Sequence, residues 1–265
     1  MKVVRHVPAA PLLPYLAGIA EGWEGLAGSS ARMREVPIPG VPLILNLGAP
    51  WEIESAGRSE TYDSFTGGLH TAPVFVRGGP SWACIELRLT PLGARRLFGR
   101  PMHELSHTTV ALEDVLPGTP ELVERLRESS SWPARFDLVD DFLLRRLSGT
   151  VEPSREVAWS WHTLSRTHGR APIKALADEL GWSHRRLIAR FRDQIGLPPK
   201  LLARVIRFDR AVRVLRAPGS TSLAAVAFDC GYADQAHLNR DFREFAGTSP
   251  TAFVAAQLES GAIAA

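Results

Sequence analysis

Two cysteines in 265 residues, Cys84 and Cys230, give no disulfide framework, and Cys230 falls where a repeat described below wants a buried apolar residue. A reducing, cytoplasmic compartment fits that scarcity. No run approaches the roughly 20 apolar residues of a membrane span, and proline interrupts MKVVRHVPAAPLLPYL where a secretion signal needs an unbroken apolar stretch. No membrane partner is expected. A phosphate-cradling glycine loop, a nucleophile elbow and a spaced carboxylate pair are all missing, and Gly67-Gly68 and Gly78-Gly79 read as turns. Neither a catalytic residue nor a cofactor is therefore expected. Lysine is scarce as well, three of 31 basic residues, a compositional trait from which no function follows.

What is present is uneven. The length allows two domains, each with its own core. Residues 1–152 hold 15 Lys+Arg against 18 Asp+Glu, whereas residues 153–265 hold 16 against 10, so a chain of net charge +3 divides into −3 and +6. The positive half has the electrostatic footprint that a phosphate-bearing partner requires.

That half also repeats itself. LADELGWSHRRLIARFRDQIGLPP runs from Leu176, and VAFDCGYADQAHLNRDFREFAGTSP runs from Val226. Ala177, Gly181 and Trp182 recur as Ala227, Gly231 and Tyr232, fifty positions on; Leu187, Phe191, Arg192, Gly196 and Pro199 recur as Leu238, Phe242, Arg243, Gly247 and Pro250, fifty-one on. One residue has been inserted just after the turn. Each copy reads as helix, glycine turn and helix, the shape of a helix-turn-helix, with glycine supplying the left-handed turn residue. Leu187 with Phe191, and Leu238 with Phe242, sit at i, i+4 and anchor the second helix of each copy. Its other face carries Ser183, His184, Arg185 and Arg186 in the first copy, and Asp234, Gln235, His237, Asn239, Arg240 and Arg243 in the second. These residue types hold phosphates and read base edges. Solvated charged faces on a plain helical hairpin repeat are the bland alternative, which two copies in register disfavour.

The first half follows another period. Val41–Leu47, Trp51–Glu54, Val74–Arg77 and Ala83–Leu89 read as strands within a region of about residues 34–90, punctuated by proline and glycine. A small sandwich or open barrel is expected, a shape that can enclose a ligand. Trp51, Tyr62, His70 and Trp82 are its candidate pocket residues, with plain core as the alternative for the tryptophans. Helices are expected over Pro91–Phe98, Pro120–Glu128 and Pro133–Leu147, the last with Phe136, Val139, Phe142, Leu143 and Leu147 on one side. His103 and His107 have the spacing of two metal ligands on one helix, yet Pro101 and the Ser-His-Thr-Thr run argue against a regular helix there, so structural or surface histidines and no metal site are expected. A linker is placed at residues 149–153.

The region from about Arg155 to Ala256 resembles the double helix-turn-helix domain of the AraC/XylS family of bacterial transcription regulators. The resemblance rests on both Gly-aromatic turns, on RFDRA at 207–211 with Leu215 after it, and on GYADQAHLNRDFR at 231–243 followed by GTSP at 247–250. It implies an α+β chain: a cupin-like or small-barrel sensing and dimerising domain over 1–150, with a helical extension over 91–148. An all-α domain of two helix-turn-helix motifs joined by a long helix follows over 153–256, and then a flexible tail over 257–265. It also implies double-stranded promoter DNA as partner, a small-molecule effector, a homodimer and a contact with RNA polymerase. Members lay both recognition helices in adjacent major-groove segments. Pro198 to Ala217 reads as the spacer, and 18 helical residues span about 27 Å, near the roughly 34 Å between successive groove faces.

By the family's pattern Asn239 and Arg240 face bases, and copy-on-copy they align with Ile188 and Ala189, which offer only apolar contact, for instance to a thymine methyl. His184 and Arg185 then carry the polar readout of the first helix. Arg190, Arg192, Arg243, Lys174 and Lys200 read as phosphate ligands or solvated surface. Two alternatives stand beside a ligand-sensing regulator: a ligand-independent dimeric regulator without an effector pocket, and a DNA-repair type of regulator with a reactive Cys84, which has no activating His, Arg or Lys motif around it.

Overall fold

Alternation along two strands explains how the N-terminal half is layered. Val41, Leu43 and Leu45 point to one side and Ile44 to the other; Ile85, Leu87 and Leu89 oppose Cys84 in the same way. A strand that is apolar on both faces must be covered twice. The computed structural model, which describes residues 2–26, 32–79, 81–148, 150, 152–217, 219 and 222–260, shows helices on one face and a second sheet on the other.

The strands are β1 (Lys2–His6), β2 (Ala20–Leu26), β3 (Met33–Glu35), β4 (Val41–Asn46), β5 (Trp51–Ser55), β6 (Arg58–Tyr62), β7 (Phe65–Gly67), β8 (Val74–Arg77) and β9 (Ser81–Leu89); α1 (Pro91–Phe98), β10 (Thr109–Ala111), α2 (Thr119–Glu128) and α3 (Trp132–Leu147) complete this half. Six strands in the order β1-β2-β9-β4-β7-β10 form one antiparallel sheet, and β3-β8-β5-β6 form the other. The two sheets stack without closing into a barrel, which settles the choice between sandwich and open barrel in favour of stacked sheets.

The expected strands appear within two residues of their bounds, but the strand region starts earlier and reaches later than expected. β1 and β2 precede residue 34, and β10 falls inside the stretch assigned to helices, pairing Thr109–Ala111 with β7. Gly22 and Gly25 hide β2 from a propensity reading. A Cβ on Gly22 would lie 2.2 Å from the Trp132 ring, so the residue that weakens the strand signal is required for packing α3 on the sheet. On α3, Phe136, Val139, Leu143 and Leu147 are buried as expected; Phe142 is only half-buried, and Asp140 takes the remaining core-facing place. Asp140 accepts from the Ala9 backbone N–H at 2.8 Å and lies 3.0 Å from His6 Nε2, tying the first strand to the helix.

The C-terminal half is helical: α4 (Arg155–Arg166), α5 (Ile173–Glu179), α6 (His184–Gln194), α7 (Pro199–Arg216), α8 (Leu223–Asp229), α9 (Gln235–Ala246) and α10 (Pro250–Ser260). α10 runs to Ser260 where a tail was expected from 257, and residues 261–265 lie outside the described ones, as do 149 and 151 of the linker. Among the described residues no helix is long and apolar enough to cross a membrane.

The two halves share a continuous apolar core. Ile195, Gly196 and Leu197, at the end of α6, are buried, and Ser106 Oγ lies 2.9 Å from the Gly196 carbonyl oxygen. On the linker side, Ser154 N donates to Gln194 Oε1 at 2.9 Å, and Arg96 of α1 pairs with Glu152 at 2.6 Å.

Candidate nucleic-acid interface

Both copies of the repeat fold as helix, turn and helix: α5 with α6, and α8 with α9. Each turn glycine has a left-handed backbone, Gly181 at φ 62° and Gly231 at φ 81°. Leu187, Phe191, Leu238 and Phe242 are completely buried, so the i, i+4 pairs do anchor the second helices. Phe242 and Phe245 meet Phe208 of α7 edge-on, with centroids 4.9 and 5.2 Å away.

The side chain of Ser183 accepts from Arg186 N at 3.2 Å, and that of Asp234 from His237 N at 2.6 Å. Two of the residues picked out as DNA-facing are thus the N-caps of α6 and α9, satisfying backbone donors the helix itself leaves orphaned. The caps also locate the inserted residue: Ala233 separates Tyr232 from its cap, whereas Trp182 adjoins Ser183 directly.

His184, Arg185, Ala189, Arg190 and Arg192 are exposed on α6, with Ile188 half-buried. On α9, Gln235, Arg240 and Arg243 are exposed. Asn239 is half-buried, and its Oδ1 is enclosed with no hydrogen-bond partner among the described residues. An amide so placed must turn before both its polar atoms meet an adenine. Lys174 and Lys200 are exposed, as phosphate ligands or surface residues would be.

The spacer α7 holds the readers in place. Its 18 residues bury Leu202, Val205, Ile206, Phe208, Ala211 and Val212, as the helical spacing requires, while Leu201 and Leu215 are half-buried. Arg204 on α7 donates to Asp241 Oδ1 at 2.7 Å and to Glu244 Oε2 at 2.6 Å on α9. Those carboxylates raise the guanidinium pKa above its already high value. Arg207 donates to the Gly169 carbonyl at 2.7 Å, fixing the loop between α4 and α5 on the spacer. Gly169 is obligatory there, since its φ is 74° and a Cβ would lie 2.3 Å from the Ala203 carbonyl oxygen. From the same loop, Arg170 donates to the Asp229 carbonyl at the end of α8. The loop leading into the first reader is therefore bonded to the second reader as well as to the helix between them.

Sequence reasoning missed Arg170 and Phe228. Phe228 is 80% exposed, the most exposed large apolar side chain among the described residues. The repeat itself contains the signal: Phe228 stands where the first copy has the polar, exposed Asp178.

In the N-terminal half, Trp51, Tyr62 and Trp82 gather in one cluster between the sheets with Trp23 and Phe65. Trp51 lies 5.0 Å from Trp82 and 5.8 Å from Phe65 between ring centroids. The indole Nε1 atoms of Trp23, Trp51 and Trp82 are buried without a hydrogen-bond partner among the described residues. The Tyr62 hydroxyl has two acceptors for its one proton, the Thr109 carbonyl at 3.0 Å and the Glu60 carboxylate, and burial followed by Glu60 pushes its phenol up to about 12.

His70 stands apart from the cluster, beside Gly67 and His107; burial and then His107 push its pKa down to about 4. His103 lies in a short 3-10 turn and His107 has a left-handed backbone at φ 63°, so the two do not share a helical face. No cluster of three or more metal-ligating side chains occurs among the described residues. Cys84 is a buried free thiol whose pKa burial and Glu86 raise to about 12, which removes the thiolate that alkyl transfer needs.

Residues 176–256 match the family model described as "Helix-turn-helix domain". No curated protein matches the chain. Among solved structures, ToxT from Vibrio cholerae aligns at 9% identity over 89% of this chain and 97% of that one, with a TM-score of 0.52. A second ToxT structure aligns at 10% identity over the same shares, with a TM-score of 0.50. The DNA-binding domain of AdpA, solved with a target DNA, aligns at 29% identity over 40% of this chain and 96% of that one, with a TM-score of 0.37. The matched region is thus a helix-turn-helix domain of the AraC type, and the ToxT alignments share the fold of the whole chain.

Proposed function

We propose that α6 and α9 read two adjacent major-groove segments of a promoter, and that an effector held between the two N-terminal sheets changes how α6 is presented. One observation carries the coupling. The turn that ends α6 is bonded to the N-terminal half through Ser106 and Gly196, so a shift in one half moves a recognition helix in the other. On the DNA side, His184, Arg185, Ile188 and Ala189 of α6 face the first segment, and Gln235, Asn239, Arg240 and Arg243 of α9 the second, with Ser183 and Asp234 placing the helix starts. In the cytoplasm the chain acts as a homodimer through the helices of 91–148, and its output passes to RNA polymerase.

Trp51, Tyr62 and Trp82 line the effector site together with Trp23. Their rings favour an apolar ligand, and three unpaired indole N–H groups favour one that carries a hydrogen-bond acceptor. One of the ToxT structures is bound to (E)-4-(8-methylnaphthalen-1-yl)but-3-enoic acid, an apolar acid of that description, which supports the same class here. A thermal-shift screen of the full chain with aromatic and long-chain acids tests this. A ligand at 100 times its dissociation constant adds about 2.7 kcal/mol, and Trp51→Ala abolishes the shift. The second reading, a regulator without an effector, draws on the close mutual packing of Trp51, Trp82 and Phe65. It prevails if the whole panel leaves the midpoint unchanged.

A further inference from the structure

Where the loop before α5 and the spacer α7 meet the second helix-turn-helix unit lies a cleft of about 710 Å³. Its walls come from the second unit and the segments packed on it: Arg170 from the loop before α5, Arg207 and Arg210 from α7, Phe228 from the end of α8, and Tyr232 and His237 from the turn and first helical turn of the second reader. We propose that this cleft grips the DNA backbone between the two major-groove segments, with Arg210 donating to a phosphate and Phe228 lying against the adjoining sugar. The proposal rests on the reading that α6 and α9 both engage DNA.

Several observations converge on a backbone rather than another occupant. Three guanidinium groups line the cleft against one carboxylate, Asp229. Arg210 makes no hydrogen bond or ion pair among the described residues, whereas Arg170 and Arg207 are each spent partly on a carbonyl. Tyr232 is almost wholly buried and forms a fixed wall of the cleft. His168 nearby titrates below its ordinary value, through desolvation first and then through Arg210, Arg213 and Arg170, so the positive field extends past the cleft. Because the cleft opens beside the first turn of α9, DNA read by that helix passes within reach of these groups. A protein partner with an acidic segment would match the charge too, but it would compete with DNA for the same space.

The test is a titration of the full chain against a selected site and a scrambled duplex at several salt concentrations, with wild type, Arg210→Ala, Arg210→Lys and Phe228→Ala. Arg210→Ala is expected to weaken both duplexes severalfold and alike, and to lower the slope of log affinity against log salt by about one. Arg210→Lys should keep the slope. Phe228→Ala should weaken binding with the slope unchanged. Wild-type affinity and slope in Arg210→Ala would overturn the proposal, as would a loss confined to one base position. Unchanged DNA binding with lost transcription in a reconstituted assay would also overturn it and point to an acidic protein partner. A wild-type chain without preference for any site would refute the reading beneath it.

Discussion

Ser106 Oγ meets the carbonyl oxygen of Gly196 at 2.9 Å, and this bond joins the N-terminal half of the chain to the turn that closes the first recognition helix. Gly196 has φ 102°, and a Cβ there would stand 2.6 Å from Ser106 Oγ and 3.1 Å from the Met102 carbonyl oxygen. Backbone freedom and close approach are both required at this one position. Ser106→Ala should cost about 1 kcal/mol, and Gly196→Ala should cost more. In hydrogen exchange, either change should deprotect residues 102–107 and 195–198 together; loss in one segment alone would show that the halves are not coupled here.

Arg204 and Asp241 supply the second prediction. Asp241 is 1% exposed, and Arg204 is its ion-pair partner. Arg204→Ala strands that carboxylate, at a cost of about 3–5 kcal/mol. The outer arm to Glu244, half exposed, is worth under about 1 kcal/mol. Chemical denaturation of Arg204→Ala, Glu244→Ala and the double change Arg204→Met, Asp241→Leu checks this: the first should be the least stable, and the double change should recover most of the loss.

The caps give a prediction that separates architecture from readout. Ser183→Ala and Asp234→Ala should each destabilise their helix by about 1 kcal/mol and weaken DNA binding evenly across sequences. A changed base preference in either variant would show that the side chain reads DNA as well as capping its helix.

For His70 the sign is set by its depressed pKa. The folded state holds it near 4, against about 6.5 when unfolded. The unfolded chain therefore binds the proton first. The contribution of His70 is complete above pH 6.5 and is lost as pH falls toward 4, by up to about 3 kcal/mol. His70→Gln should flatten the melting-temperature profile across that window; an unaltered profile would place the acid sensitivity elsewhere.

Much of this architecture was legible in the sequence, and where it was not, the reason is physical. Periodicity found α7 to within a residue at each end, because one continuous apolar stripe packs it against both readers. It missed β1 and β2, since Gly22 serves the Trp132 ring and not the strand, and it missed β10, three residues long. The repeat located both recognition helices, yet residue type alone does not divide their polar residues by role. Ser183 and Asp234 are suited equally to capping and to phosphate, and only the backbone geometry shows the caps. Asn239 is of base-reading type while its carbonyl oxygen is turned inward. Trp51, Tyr62 and Trp82 do come together, but His70 was grouped with them by composition and lies elsewhere.

Selection of binding sites from a random duplex pool, with the wild-type chain and with Arg185→Ala and Arg240→Ala, bears on the two-reader account most directly. The account predicts a bipartite motif with blocks about 10 base pairs apart, each substitution erasing preference in one block by about 1–3 kcal/mol. Salt-sensitive binding without any motif, or a single block lost equally with both substitutions, would contradict it.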